Sequence, residues 1–272
     1  NVEGAPRQAA AEGAHADKFY DAASFQKGLE AVRQAPPPAR TGTLVGGLVP
    51  HHNLAGAMFT TFFTRLEAHP PKTIIVVGPN HYLKGQRVVT GRRGWATNFG
   101  VVEADTALVE SLAQAGLATV DDGALENEHS MGALMPYVKY HAPRARVVPI
   151  ILHKDVTIAE QEQLARRLAP LLSADTLLVA SVDFSHYLPR DIADAKDVVT
   201  RQAIADFDLP AIMRMSPDYV DSPPSLGVLM QTMRLAGAAG PVEEAHTNSG
   251  YLLGSTVMET TSYFTFTYWM QQ

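Results

Sequence analysis

Two histidines of this sequence follow directly after short apolar runs. His51 comes after residues 43–49 (TLVGGLV) and a proline, and His81 comes after residues 73–78 (TIIVVG) and a Pro-Asn pair. Neutral imidazole is a common protein ligand for first-row metals. The two contexts match, and core packing does not explain an imidazole in either place. We therefore interpret His51 and His81 as metal ligands.

A site with two histidines needs at least one more ligand, either a carboxylate or a third imidazole. The candidates are Asp183, His186, Asp218 and Asp221, and His52 could also ligate or simply point away. Asp183 ends the apolar run 176–182 (TLLVASV). Its ordinary role would be to cap a turn, with His186 exposed nearby. A buried strand seldom ends in an unpaired carboxylate, however, because removing the charge from water is costly.

The segment 126–137 (ENEHSMGALMPY) contains a further histidine, His129, between Glu128 and Ser130. One interpretation is a helix start near Met131 with Ser130 as its N-cap. The other places His129 at the rim of the site, as a proton donor or a contact for the substrate. The spacing alone does not decide between them.

The elements that position these residues alternate between strands and helices. Buried strands are predicted at 43–49, 73–78, 146–152 and 176–182, and helices at 23–34, 53–68, 105–116, 157–172, 190–207 and 225–236. The late segment SYFTFTYW alternates in a way typical of a half-buried strand. Such alternation predicts a mostly parallel sheet covered on both faces, with ligands beyond the carboxyl ends of the strands. Residues His51, His81 and Asp183 would then meet at one edge.

The composition limits the classes of function. The chain has 272 residues and no cysteine, so a transition metal must be bound by His, Asp, Glu or water. Its net charge of −6 argues against non-specific binding of nucleic acid. No apolar run is long enough to insert into a membrane. Since residue 1 is Asn, we expect a trimmed chain, either cytoplasmic or exported.

Taken together, these segments resemble the Memo family, also called AmmeMemoRadiSam system protein B, which is similar in fold to the class III, LigB-type extradiol dioxygenases. The resemblance runs over most of the chain. It is carried by ordered short motifs at Phe19-Tyr20, Pro50-His51, Gly78–His81, Glu128–Ser130 and Asp183–His186. Some animal relatives have a cysteine shortly before an "xGVL" helix, and Asp221 stands at that place here.

The resemblance implies a single α/β domain, residues 17–272, with a central mostly parallel or mixed sheet flanked by helices. Residues 1–16 are rich in Ala and Gly and show no periodicity, so we expect them to form a loose N-terminal arm. It implies one mononuclear site in which His51 and His81 bind the metal. Asp221 is the expected third ligand, with Asp183 and water as competitors. His186 would be the general acid/base, held by Asp183, and His129 a second proton-transfer or substrate-orienting group.

Fe(II) is the expected metal, with Zn, Mn and Cu as alternatives. The leading hypothesis is dioxygenase-like or redox chemistry on a small, catechol-like substrate. A second hypothesis is a Zn-dependent hydrolase that uses the same ligands. A third is a non-catalytic adaptor whose cleft accepts a peptide or protein partner.

Overall fold

Strands and helices alternate along the chain as the sequence predicts. The computed structural model describes residues 13–256 and 259–272. The strands are β1 (His15–Ala16), β2 (Thr43–Val49), β3 (Thr73–Pro79), β4 (Val88–Thr90), β5 (Trp95–Thr97), β6 (Gly100–Val102), β7 (Thr119–Val120), β8 (Arg146–Leu152), β9 (Thr176–Ser181), β10 (Ala239–Asn248) and β11 (Ser262–Met270). The α-helices are α1 (Ala22–Gln34), α2 (Gly56–Phe63), α3 (Thr106–Gln114), α4 (Asp122–Leu125), α5 (His129–Gly132), α6 (Met135–His141), α7 (Ile158–Leu168), α8 (Arg190–Ala205), α9 (Leu209–Met213), α10 (Pro223–Ala236) and α11 (Ser249–Leu253).

One mixed sheet organises the fold. Its eight strands have the order β10-β11-β2-β9-β3-β8-β4-β7. The central strands β2, β9, β3 and β8 are parallel, whereas β11 is antiparallel to β2 and β4 is antiparallel to β8. The predicted single-domain α/β fold with a mixed sheet is therefore confirmed. Within the described residues, none of the helices is both long enough and apolar enough to span a bilayer.

Both faces of the central strands are buried, which explains why their sequences are continuously apolar. Ile75 and Val77 of β3 pack into the core on one side of the sheet, together with residues of α7 and α10. Ile74 and Val76 pack into the core on the other side, together with aromatic residues of α1 and α2. Successive side chains of a strand point to opposite faces, so a sheet covered twice needs an apolar residue at each position.

Strand β11 differs from its prediction. The alternation of Thr and Ser with aromatic residues suggested a half-buried strand, but residues 262–269 are buried on both faces. The strand lies inside the sheet, between β10 and β2. Helix α2 packs against it, so its hydroxyl side chains are enclosed as well, and Thr265 and Thr267 have no exposed surface.

The N-terminal segment enters the fold earlier than predicted. Residues 1–12 of the predicted loose arm lie outside the described residues. His15 and Ala16, which were assigned to that arm, form a parallel pair with Trp95 and Ala96. His15 is buried, with its ring nitrogens 2.6 Å from a carboxylate oxygen of Glu126 and 3.3 Å from one of Asp122. The arm therefore does not extend to His15.

The ion pairs of His15 should make stability depend on pH. Burial alone would lower the pKa of His15, but the two carboxylates outweigh it and raise the pKa above its ordinary value. The protonated form stabilises the folded state, so this contribution is present below the unfolded pKa of about 6.5 and is lost as pH rises through the raised folded pKa. We expect His15→Asn to lower the free energy of unfolding by about 1–3 kcal/mol near pH 6 and by less near pH 9.

Urea unfolding of the parent and the variant across this range measures the difference. A loss of stability that is equal at both ends of the range would show that His15 acts through packing alone.

Candidate metal centre

The neighbouring strands β2, β9 and β3 bring three of the predicted residues to one edge of the sheet. His51 follows β2, His81 follows β3, and Asp183 lies two residues beyond β9. The ring centroids of His51 and His81 are 5.1 Å apart. His51 is buried, whereas the side chain of His81 is 26% exposed, so this edge is reached from solvent on the His81 side.

Asp221 joins these residues from the loop before α10. Its backbone N–H donates to the carbonyl of Asp183 at 3.0 Å, and its Oδ1 accepts from the backbone N–H of Asp183 at 3.1 Å. This reciprocal pair fixes the loop against the end of β9. It leaves Asp221 Oδ2 at 2.9 Å from Nε2 of His51 and at 3.7 Å from Nε2 of His81.

The residues fit a cation between them. Asp221 Oδ2 is buried, and no described residue makes a hydrogen bond of acceptable geometry with it. Metal–nitrogen and metal–oxygen bonds of about 2.0–2.2 Å place two ligand atoms of one ion roughly 3–4 Å apart. Asp221 Oδ2 has roughly that spacing from Nε2 of His51 and from Nε2 of His81. Nitrogen and carboxylate donors of this kind suit Fe(II), Mn(II) and Zn(II).

Asp183 also lies beside the cluster, as a competitor for the third ligand. Its Oδ2 is 3.3 Å from Nε2 of His51, and its Oδ1 accepts the backbone N–H of His51 at 3.0 Å. Asp221 is better placed because its Oδ2 is close to both imidazoles. Asp218, the other candidate carboxylate, pairs with Lys196 at 3.8 Å and is outside the clusters that the described residues form here.

The second nitrogen of each imidazole is held by a buried partner. Nδ1 of His51 lies 3.1 Å from the hydroxyl of Ser181, and Nδ1 of His81 lies 2.7 Å from Oε2 of Glu128. When Nδ1 donates its proton to these oxygens, Nε2 keeps a free lone pair for a metal. Sequence reasoning missed both partners. For Glu128 the available signal was a carboxylate in the Glu-His-Ser motif, but Ser181 gave no signal.

The charges at this edge shift the pKa values of its residues. Burial disfavours charge on His81, yet the carboxylates of Asp221 and Glu128 raise its pKa to about 10. Asp183 and Asp221 likewise outweigh burial and raise the pKa of His51. Burial opposes ionisation of Asp221 too, but His51 and His81 hold its pKa well below the usual range. The carboxylates therefore provide the negative charge that a bound cation would neutralise.

His129 lies against the two histidines, as one of its interpretations proposed. Its ring stacks on His81 with centroids 4.0 Å apart, and its side chain is 34% exposed. The N-cap of α5 is Glu128, which accepts from the backbone N–H of Ser130, so the expectation of Ser130 as N-cap is wrong. Burial and the neighbouring His51 and His81 lower the pKa of His129 to about 4.

His186 is close to this cluster but outside it. It is half-buried, and its charge contributes to the low pKa of Asp221. The prediction that Asp183 holds His186 is wrong, because both oxygens of Asp183 face His51. Nδ1 of His186 instead hydrogen-bonds to the carbonyl of Phe184. His52 points away from the cluster and hydrogen-bonds to the hydroxyl of Tyr263.

The contact between Glu128 and His81 predicts a measurable effect on metal affinity. Gln has nearly the same shape as Glu but carries no charge. We expect Glu128→Gln to weaken metal binding by about 10- to 100-fold, since partners that orient an imidazole ligand usually contribute this much. Titration of each protein with Zn(II) against a fluorescent chelator measures the affinity.

The matched control is Glu126→Gln, which alters a carboxylate two residues earlier that pairs with His15 instead. Equal losses of affinity in the two variants would mean that the effect comes from the loop and not from the contact with His81.

The sequence of this chain is similar to those of one family of known proteins. A family model described as Memo-like protein matches residues 11–257. A MEMO1 family protein of Pyrobaculum aerophilum is 28% identical over 224 residues, which cover 78% of this chain and 79% of that protein. A MEMO1 family protein of Methanopyrus kandleri is 31% identical over 212 residues, which cover 74% of each chain.

Among solved structures, an uncharacterized protein from Escherichia coli K12 is similar, with a TM-score of 0.55 and 17% identity over 80% of this chain and 99% of that one. At this identity the likeness concerns the fold, which it supports as a single α/β domain. The family model spans nearly the whole chain and contains every residue of the edge described above. This chain belongs to the Memo-like protein family.

Proposed function

We propose that this chain is a metal-dependent oxidoreductase whose single metal, Fe(II), is bound by His51, His81 and Asp221. The observation that supports this most is the buried Oδ2 of Asp221, which makes no hydrogen bond of acceptable geometry and lies 2.9 Å and 3.7 Å from the Nε2 atoms of two imidazoles. Two histidines and one carboxylate form the facial triad of non-haem Fe(II) oxygenases. When bound, Fe(II) supplies one-electron chemistry and open positions for O₂ and a chelating substrate.

The protein residues around the triad would bind and orient the substrate. His129 stacks on His81 and is partly exposed, so it can donate or accept a hydrogen bond at a group that enters from solvent. His186 is held through Nδ1, which leaves its Nε2 free to move a proton to or from the substrate. A small molecule with two adjacent hydroxyls, such as a catechol, would use both contacts. This substrate class follows the resemblance to extradiol dioxygenases.

A Zn-dependent hydrolase is the second candidate. Two histidines and one carboxylate also form the ligand set of some zinc hydrolases, and the donor atoms near Asp221 suit either ion. In that case His186 or His129 would accept the proton of the attacking water.

Reconstitution separates the two functions. We expect protein loaded anaerobically with Fe(II) to consume O₂ in the presence of a panel of catechols, and protein loaded with Zn(II) to leave a panel of esters and amides intact. Hydrolysis by the Zn(II) form without O₂ consumption by the Fe(II) form would favour the hydrolase. A protein that binds either metal and catalyses neither reaction would contradict both functions and favour an adaptor role.

The role of His186 gives a separate prediction. We expect His186→Ala to keep one metal per chain and to lose at least about 100-fold in kcat, because general acid/base residues usually contribute 10²–10⁴-fold. Metal content and steady-state rates are measured on the same preparation. Loss of the metal together with activity would make His186 a ligand and overturn this role.

A further inference from the structure

A cavity lies at the edge of the sheet opposite the metal centre, at the amino ends of the parallel strands. Its volume is about 560 Å³, within the range of small-molecule sites. Its apolar lining includes Leu44 at the start of β2, Leu177 at the start of β9, and Trp269 near the end of β11. Strand β2 has seven residues, so the cavity is roughly 20 Å from the metal centre.

Beside this cavity, positively charged side chains outnumber negatively charged ones. Arg40 Nε lies 2.9 Å from Oε1 of Glu244, and Arg65 Nη2 lies 3.1 Å from both oxygens of the same carboxylate. Two guanidinium groups therefore share one carboxylate. Both arginines line the cavity, whereas none of the described lining residues is acidic. Among these side chains, one positive charge has no negative partner.

Arg65 is the more enclosed of the two arginines. Its side chain is only 8% exposed, yet its Nε is buried and makes no hydrogen bond with any described residue. The guanidinium carbon lies 5.3 Å from the ring centroid of Trp269, so the cation and the aromatic wall are adjacent.

We propose that this cavity binds a small organic anion with a flat apolar body, of the aromatic carboxylate class. The carboxylate of the ligand would balance the excess charge of Arg40 and Arg65. Its ring would lie against Leu44, Leu177 and Trp269. This site is independent of the metal centre and of the function proposed for it.

Calorimetric titration with naphthoate tests the proposal, with the neutral naphthylmethanol as a matched probe. We expect saturable binding of one naphthoate per chain, unchanged by added Zn(II), and at least about tenfold weaker binding of naphthylmethanol. Arg40→Gln leaves Arg65 and Glu244 as a neutral pair and should weaken naphthoate binding at least about tenfold. Arg40 is 31% exposed, so this change should leave thermal stability nearly unaltered.

Arg201→Gln is the control. Arg201 pairs at 2.7 Å with Glu243, the residue before Glu244, and does not line the cavity. It should bind naphthoate like the parent. Ala174→Trp, at an exposed lining position, should block binding. Each of four results would overturn the proposal. The first two are equal affinity for the two probes, and equal affinity of Arg40→Gln and the parent for naphthoate. The others are full binding by Ala174→Trp, and no saturable binding at millimolar naphthoate.

Discussion

A His51→Ala variant is expected to bind a first-row divalent metal roughly 100- to 1,000-fold more weakly than the parent protein. The expectation follows from structural zinc sites, where about 10–16 kcal/mol is shared among four ligands, so that one ligand accounts for about 2.5–4 kcal/mol. His51 is fully enclosed and adjoins both candidate carboxylates. Its loss would therefore leave Asp183 and Asp221 without a nitrogen ligand between them. Metal content after dialysis against limiting Zn(II) or anaerobic Fe(II) measures the effect.

His52→Ala is the matched control for this variant. His52 is the next residue, is exposed, and hydrogen-bonds to Tyr263 and not to the cluster. It should retain the parent's metal content. Equal loss of metal in the two variants would indicate that the loop after β2 is disturbed as a whole, and would contradict a specific role for His51.

Substitution of Asp221 is expected to have the second largest effect on metal affinity. Asp221→Asn can keep an oxygen that accepts from the N–H of Asp183, so the loop should stay in place. It loses the charged oxygen beside the two imidazoles. We expect metal affinity to fall by about 100-fold or more with little change in thermal stability. Asp221→Ala removes the loop contact as well, and should lose both affinity and about 1 kcal/mol of stability.

Asp221→Cys extends this test to the choice of metal. A thiolate is a softer ligand than a carboxylate, so the variant should gain relative affinity for Cu(I) and lose it for Fe(II). If Asp221→Asn and Asp221→Ala both hold Fe(II) as tightly as the parent, Asp221 is a turn residue, and Asp183 or water completes the site.

The meeting of His51 and His81 could be predicted from the sequence because it depends on a simple property of parallel strands. The buried runs 43–49 and 146–152 are the observed β2 and β8. Residues that follow neighbouring parallel strands lie at one edge whatever the details of packing. Asp221, in contrast, lies 38 residues after Asp183, and only the family resemblance indicated it.

The missed features depend on contacts between distant segments. Glu128 meets His81 across 47 residues, and Ser181 meets His51 across 130 residues, so local patterns do not reveal either pair. The burial of β11 was missed for the same reason. Its Thr and Ser side chains suggest an exposed face, but helices α2 and α8, from distant parts of the chain, pack against the strand and cover it.

X-ray absorption at the metal edge, on protein reconstituted with one equivalent of Fe(II) under anaerobic conditions, tests the central claim most directly. We expect one ion per chain, with scattering from two imidazole nitrogens at about 2.0–2.2 Å and from carboxylate oxygen at a similar distance. The imidazole signal should fall in His51→Ala and in His81→Ala. A protein that retains no metal, or whose metal shows no imidazole scattering, would contradict the assignment of this edge as a metal centre.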